Sequence, residues 1–143
     1  EIAIDEDASV LTGGNVEKLN GRCSEGWYLQ PTIIEGLDYS SRLNQEEIFG
    51  PVVTLQPFST ELDAVEMANS TDYGLSATIW TRDLDKGQRV SSSIDAGIIW
   101  MNCWLLRDLR TPFGGTKNSG LGREGGDDAL KFFTEQKNIC LPK

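Results

Sequence analysis

Two arginines, Arg107 and Arg110, stand three residues apart with Asp108 between them. A guanidinium offers a planar fork of N–H donors that matches a carboxylate in bidentate fashion, so the pair could grip an anionic substrate. They follow a strand-like run, and open α/β sheets place ligand-contacting residues in the loops beyond the carboxyl ends of their strands. The competing reading is a solvated ion pair, with Asp108 neutralising one arginine, and the residues alone leave both readings open. A second grouping is Glu46-Glu47-Ile48-Phe49-Gly50-Pro51, in which carboxylates precede an aromatic ring and a Gly-Pro turn. By itself such a turn reads either as a solvated surface feature with Phe49 in the core, or as a ligand contact.

Other candidates carry less chemistry. The cysteines Cys23, Cys103 and Cys140 are far apart and no histidine is present, so there is neither an imidazole to activate a thiol nor a zinc-ligand spacing. Cys103 lies in an apolar run beside Trp100 and Met101 and reads as a core residue. Gly120-Leu121-Gly122-Arg123-Glu124-Gly125 matches a dinucleotide fingerprint in spacing, but it follows a loop rather than a strand. Glycines permitting tight turns in a closely packed loop are the simpler account. No self-sufficient catalytic constellation is present, and no metal site is expected.

The elements that must position these residues alternate. Val10-Leu11-Thr12-Gly13-Gly14 reads as a strand ending in a glycine turn, residues 28–34 as a second strand, and the stretch between as polar loop. Residues 52–58 form a β-branched run, after which Thr60 and Asp63 sit as the cap and third residue of a helix. Residues 75–80 read as a strand, Asp83 as the cap of a helix containing Val90 and Ile94, and Gly97 as its left-handed end. The strand-like run 98–103 follows. Residues 104–126 show neither period and read as a long functional loop, residues 127–133 as a helix, and residues 137–141 as an edge strand open to another chain. Strands alternating with helices imply an α/β layer structure with parallel strands covered on both faces.

With 143 residues, 38% hydrophobic, one compact domain is within reach and two would be crowded. Lys+Arg 13 against Asp+Glu 22 gives a formal charge of -9, which disfavours nucleic acid and anionic membrane surfaces as partners. Reduced thiols and the lack of a membrane-length apolar run fit the cytoplasm. The start, Glu1-Ile2-Ala3, lacks Met and reads like the middle of a longer chain.

Glu46-Glu47-Ile48-Phe49-Gly50-Pro51-Val52 and Pro112-Phe113-Gly114-Gly115-Thr116-Lys117-Asn118-Ser119-Gly120-Leu121-Gly122-Arg123-Glu124 together resemble the two carboxyl-terminal motifs of the aldehyde dehydrogenase superfamily. Their order and separation match, and Gly13-Gly14, Gln30-Pro31-Thr32, Tyr73-Gly74-Leu75 and Trp100-Met101-Asn102 extend the resemblance over nearly the whole chain. The loop Asn102-Cys103-Trp104-Leu105-Leu106-Arg107-Asp108-Leu109-Arg110 is similar to that of the muconic semialdehyde dehydrogenases, which act on 2-hydroxymuconate or 2-aminomuconate 6-semialdehyde.

The resemblance implies a three-layer α-β-α catalytic domain with a mostly parallel sheet. Residues 1–135 would be its carboxyl-terminal part, and residues 136–143 an oligomerisation strand joining a partner subunit. Glu47 would accept hydrogen bonds from the nicotinamide ribose of NAD, and Phe49 would pack beside the nicotinamide ring. Arg107 would hold the substrate carboxylate, with Arg110 a lesser candidate, and Phe113 would line the aldehyde pocket. The family's cysteine nucleophile, general-base glutamate and cofactor domain would lie upstream, so this chain alone is expected to be inactive. The alternative from another class is a truncated chain acting as an assembly or binding module through its terminal strand.

Overall fold

Pro31 has no N–H to give to a ladder, and the expected strand over residues 28–34 divides there. In the computed structural model, which describes residues 1–143, its two parts belong to different sheets. The chain separates into two units, Glu1–Thr71 and Asp72–Lys143, each described by itself.

The first unit contains α1 (Ile2–Asp5), β1 (Ser9–Thr12), β2 (Val16–Glu17), β3 (Tyr28–Leu29), β4 (Thr32–Glu35), α2 (Arg42–Gln45), β5 (Val52–Leu55) and α3 (Glu61–Asn69). One sheet has the order β1-β4-β5, with β1 antiparallel to β4, and β4 parallel to β5 so that Thr32 faces Val52 and Glu35 faces Leu55. The pair β2–β3 forms inside the stretch read as polar loop and its flank. Alternation along β4 buries Thr32 and Ile34 and exposes Glu35. Ile34 joins Ala3 and Leu37 in a small core, against which Ala8, Leu43 and Val52 pack. The predicted cap of α3 is present: Asp63 N–H donates to the Thr60 hydroxyl at 3.1 Å, and Thr60 N–H to the Asp63 carboxylate at 3.0 Å.

The second unit contains β6 (Tyr73–Gly74), β7 (Ser76–Ile79), α4 (Leu84–Ser93), β8 (Ile98–Met101), β9 (Thr116–Lys117) and α5 (Gly126–Phe133). Strands β7 and β8 run parallel with α4 between them in the chain, Ser76 facing Ile98 and Ile79 facing Met101, while β6 pairs antiparallel with β9. Asp83 caps α4 by accepting from Lys86 N–H at 2.9 Å.

Several expectations need correction. The fold is α/β, but only β4–β5 and β7–β8 are parallel; β1–β4 and β2–β3 are connected without a crossover helix and return antiparallel. Helix α4 stops at Ser93, before Ile94, and Gly97 does not end it in left-handed geometry. The terminal segment at 136–143 forms no strand in the single chain, where no second strand reaches it, and its expected ladder is one with a partner subunit.

Gly97 instead serves a close approach of two backbones: a Cβ there would lie 1.6 Å from the Gly114 carbonyl oxygen. No rotamer relieves a clash with backbone, so Gly97→Ala should cost on the order of 1–3 kcal/mol. Urea unfolding of the intact protein checks this against Gly50→Ala, where the nearest atoms are 4.0 Å away. Equal midpoints for the two variants would show that the approach of Gly97 to Gly114 carries no structural constraint.

Candidate functional site

In the first unit, the short helix α2 begins at Ser41, whose hydroxyl oxygen accepts from Leu43 N–H at 3.3 Å. One turn on, Arg42 Nε meets Glu46 Oε2 at 2.8 Å. That hydrogen bond holds the Glu46 carboxyl below its usual range and raises Arg42. The two glutamates therefore differ: Glu46 is engaged by Arg42, whereas the exposed carboxylate of Glu47 forms no such pair.

Phe49 is 92% exposed at φ 52, which overturns its reading as a core residue. A left-handed backbone at a bulky residue costs roughly 1–3 kcal/mol and persists where the surroundings impose it. Here Val52 N–H donates to the Gly50 carbonyl and Thr32 N–H to the Pro51 carbonyl, both at 2.8 Å, fastening the turn to the ends of β4 and β5. The result is a turn fastened at its Gly50-Pro51 end, carrying an acceptor-only carboxylate and an uncovered aromatic face.

In the second unit, positioning begins with Trp100 on β8, 7% exposed, whose indole N–H donates to the Leu106 carbonyl at 2.8 Å. Asn102, at φ 53, bridges both backbone groups of Thr81: Oδ1 accepts from its N–H and Nδ2 donates to its carbonyl, each at 2.9 Å. Leu105 is left-handed too, at φ 55. These contacts fix the backbone that delivers Arg107.

The guanidinium carbon of Arg107 lies 4.3 Å from the centroid of the Phe113 ring, a cation–π contact. At its edge, Nη2 meets Glu124 Oε1 at 2.5 Å. Phe113 and Glu124 also exchange both backbone hydrogen bonds, each 2.7 Å. Arg107 and Phe113, named separately from sequence, are thus in contact, and Glu124 joins them.

Arg110 is engaged differently. Its Nε lies 2.9 and 3.1 Å from the two Asp108 oxygens, with Nη2 2.5 Å from one of them. This hydrogen bonding lowers the Asp108 carboxyl below its usual range and raises Arg110. The ion-pair alternative therefore describes Arg110.

At the start of α5, Gly125 has φ 91, and a Cβ there would lie 2.4 Å from the Thr111 carbonyl oxygen. Carbonyl oxygens of Leu109, Arg110 and Thr111 face these glycines, so an incoming phosphate would meet acceptors rather than donors. Cys103 is half-buried and free. No group of three or more His, Cys, Asp or Glu residues stands where it could hold a metal ion.

Sequence reasoning gave Glu124 no role. The available signal was its place as the one carboxylate in the run from Pro112 to Glu124. The residue string shows Trp100 as a member of an apolar run and of a motif, but not its bond to a carbonyl.

A model of the aldehyde dehydrogenase family matches residues 1–139. Among curated relatives, a 2-hydroxymuconic semialdehyde dehydrogenase of Pseudomonas sp. (strain CF600) is 52% identical over 139 residues, covering 97% of this chain and 29% of the relative. A 2-aminomuconic semialdehyde dehydrogenase of Danio rerio is 49% identical over 142 residues, covering 98% of this chain and 29% of the relative. The crystal structure of a Mycobacterium tuberculosis aldehyde dehydrogenase complexed with NAD+ superposes with a TM-score of 0.86 at 40% identity, covering 99% of this chain and 28% of that one. The chain thus spans under a third of the length of the relatives it matches.

The indole bond gives a test of the support beneath Arg107. Trp100→Phe keeps the buried ring and loses the donor, so amides over residues 104–110 should exchange with deuterium severalfold faster while β8 stays protected. Unchanged exchange across that loop would remove Trp100 from its support.

Proposed function

The chain belongs to the aldehyde dehydrogenase family, and from that premise we propose that it forms the carboxyl-terminal part of a longer NAD-dependent enzyme. That enzyme would oxidise a carboxylated semialdehyde, 2-hydroxymuconate or 2-aminomuconate 6-semialdehyde, to the acid. The observation that carries the proposal is the Arg107 guanidinium lying on the Phe113 ring, 4.3 Å from its centroid. An aromatic wall beside a fixed cation suits a substrate with an unsaturated carbon chain and a carboxylate.

The residues of the first unit fit the cofactor's chemistry. Glu47 has free acceptor oxygens for the ribose hydroxyls, which are donors, and the exposed Phe49 ring offers an apolar face to a nicotinamide. When bound, NAD supplies the hydride acceptor. Within this proposal the chain's own work is binding and orientation, since it has no histidine to activate any of its three cysteines. The nucleophile and general base come from the remainder of the enzyme, as does the rest of a three-layer domain. Residues 136–141, exposed and unpaired here, are assigned to a partner subunit's sheet.

Arg107→Ala in the intact enzyme should raise KM for the carboxylated semialdehyde by roughly ten- to a hundredfold, as expected for losing a hydrogen bond to a charged group. KM for a neutral aldehyde of similar length should change far less. Equal effects on both substrates, measured by NADH formation, would remove Arg107 from substrate recognition.

A further inference from the structure

Resting on the reading of Arg107 as the clamp for the substrate carboxylate, we propose that Glu124 is a built-in competitor for that clamp. It holds the guanidinium until the carboxylate of an incoming substrate displaces it. Glu124 engages Arg107 through one oxygen and one nitrogen, Oε1 to Nη2. The pair is open to solvent, with Arg107 43% and Glu124 62% exposed at the side chain. An exposed, single-point pair is weak and exchangeable. A ligand carboxylate presenting two oxygens in the guanidinium plane forms two parallel charge-assisted bonds instead.

The surroundings favour exchange at this edge. The Phe113 ring covers one face of the guanidinium while Glu124 meets its edge, so the two contacts use separate parts of the group. The Glu124 backbone is tied to Phe113 through both its N–H and its carbonyl, so release of the carboxylate needs only side-chain rotation. Two carboxylates at one guanidinium edge repel each other and compete for the same N–H donors, so occupancy by one disfavours the other. A neutral aldehyde has no group with which to displace Glu124, whereas a carboxylated one must do so and bears the cost. Return of Glu124 after turnover would likewise oppose retention of the acid product.

The test compares kcat/KM for the carboxylated semialdehyde with that for a neutral aldehyde of similar length in the NAD-loaded intact enzyme. Glu124→Gln preserves shape and removes the competing charge, so the ratio should rise about two- to fivefold, the range set by exposed ion pairs. Acetate, a free carboxylate probe, should inhibit this variant more strongly by a similar factor. Glu124→Ala should shift the ratio in the same direction, which guards against misfolding of either variant. With Arg107→Ala already present, Glu124→Gln should leave the ratio unmoved. If Arg107→Ala collapses the ratio while Glu124→Gln lowers it or leaves it unchanged, the competitor is overturned and the clamp stands. If Arg107→Ala does not alter the ratio, clamp and competitor fall together.

Discussion

The guanidinium of Arg107 is held across one face by an aromatic ring and along one edge by a carboxylate, and the backbone contacts of Leu106, Phe113 and Glu124 constrain that geometry. Neither contact is strong. An exposed cation–π contact is worth about 0.5–1 kcal/mol, and an exposed ion pair about 0.2–1 kcal/mol. Firmness comes from the backbone on either side. The buried indole of Trp100 holds the Leu106 carbonyl, one residue before Arg107, while the paired backbones of Phe113 and Glu124 hold the other two members. Behind them lie the parallel pair β7–β8 and the approach of Gly97 to Gly114, just after Phe113. A fixed backbone with weakly held side-chain tips suits a site whose ligand must enter and leave.

The first unit solves a comparable problem in another way. At the tip before β5 the strain is in the backbone, since Phe49 is left-handed, and its ring is uncovered. Strain at a solvent-facing aromatic contributes nothing to a core, which agrees with the nicotinamide contact proposed for Phe49. The neighbouring glutamates show the same division of labour. Glu46 is bound to Arg42 within one helical turn, and Glu47 is left with its oxygens available. In both units the residues to which the proposed function gives a binding role occupy irregular segments flanking strand ends, where a regular element sets the position and a loop sets the chemistry.

Local rules were legible in the residue string and non-local ones were not. Thr60 with Asp63, and Asp83 by itself, are local capping signals, and both helices begin where those residues place them. The β-branched run at Val52 and the apolar run at Ile98 are likewise strands. Pro31 carried its message too: its missing donor suggests a place near an edge, and the strand instead divides there between two sheets. Two-residue strands such as β2 and β9 have no periodicity to read, since their existence depends on a partner distant in the chain. Gly97 looked like a helix end because sequence shows a glycine's freedom but not the Gly114 carbonyl that would collide with a side chain. The arginine pair shows the same limit: type and spacing allowed both to bind an anion, and only geometry shows Arg110 gripped by Asp108.

The ordering of this site owes little to a large core. Trp100 is the one buried apolar residue of the second unit, while Leu121 is 95% and Phe133 79% exposed. Burying a Leu or Phe side chain fully is worth about 1.5–3 kcal/mol, so much of the available hydrophobic stabilisation is unrealised within this chain. Under the proposed function, surfaces elsewhere in the enzyme cover these residues, and stability then belongs to the assembly while the local geometry belongs to this segment. The contacts that define the geometry are short in sequence: six residues from Trp100 to Leu106, six from Arg107 to Phe113, eleven from Phe113 to Glu124. Contacts of that separation close small loops at low entropic cost. Under the proposed function, a segment can therefore specify the recognition geometry of a larger enzyme through hydrogen bonds and stacking, leaving the hydrophobic contribution to the surface it meets.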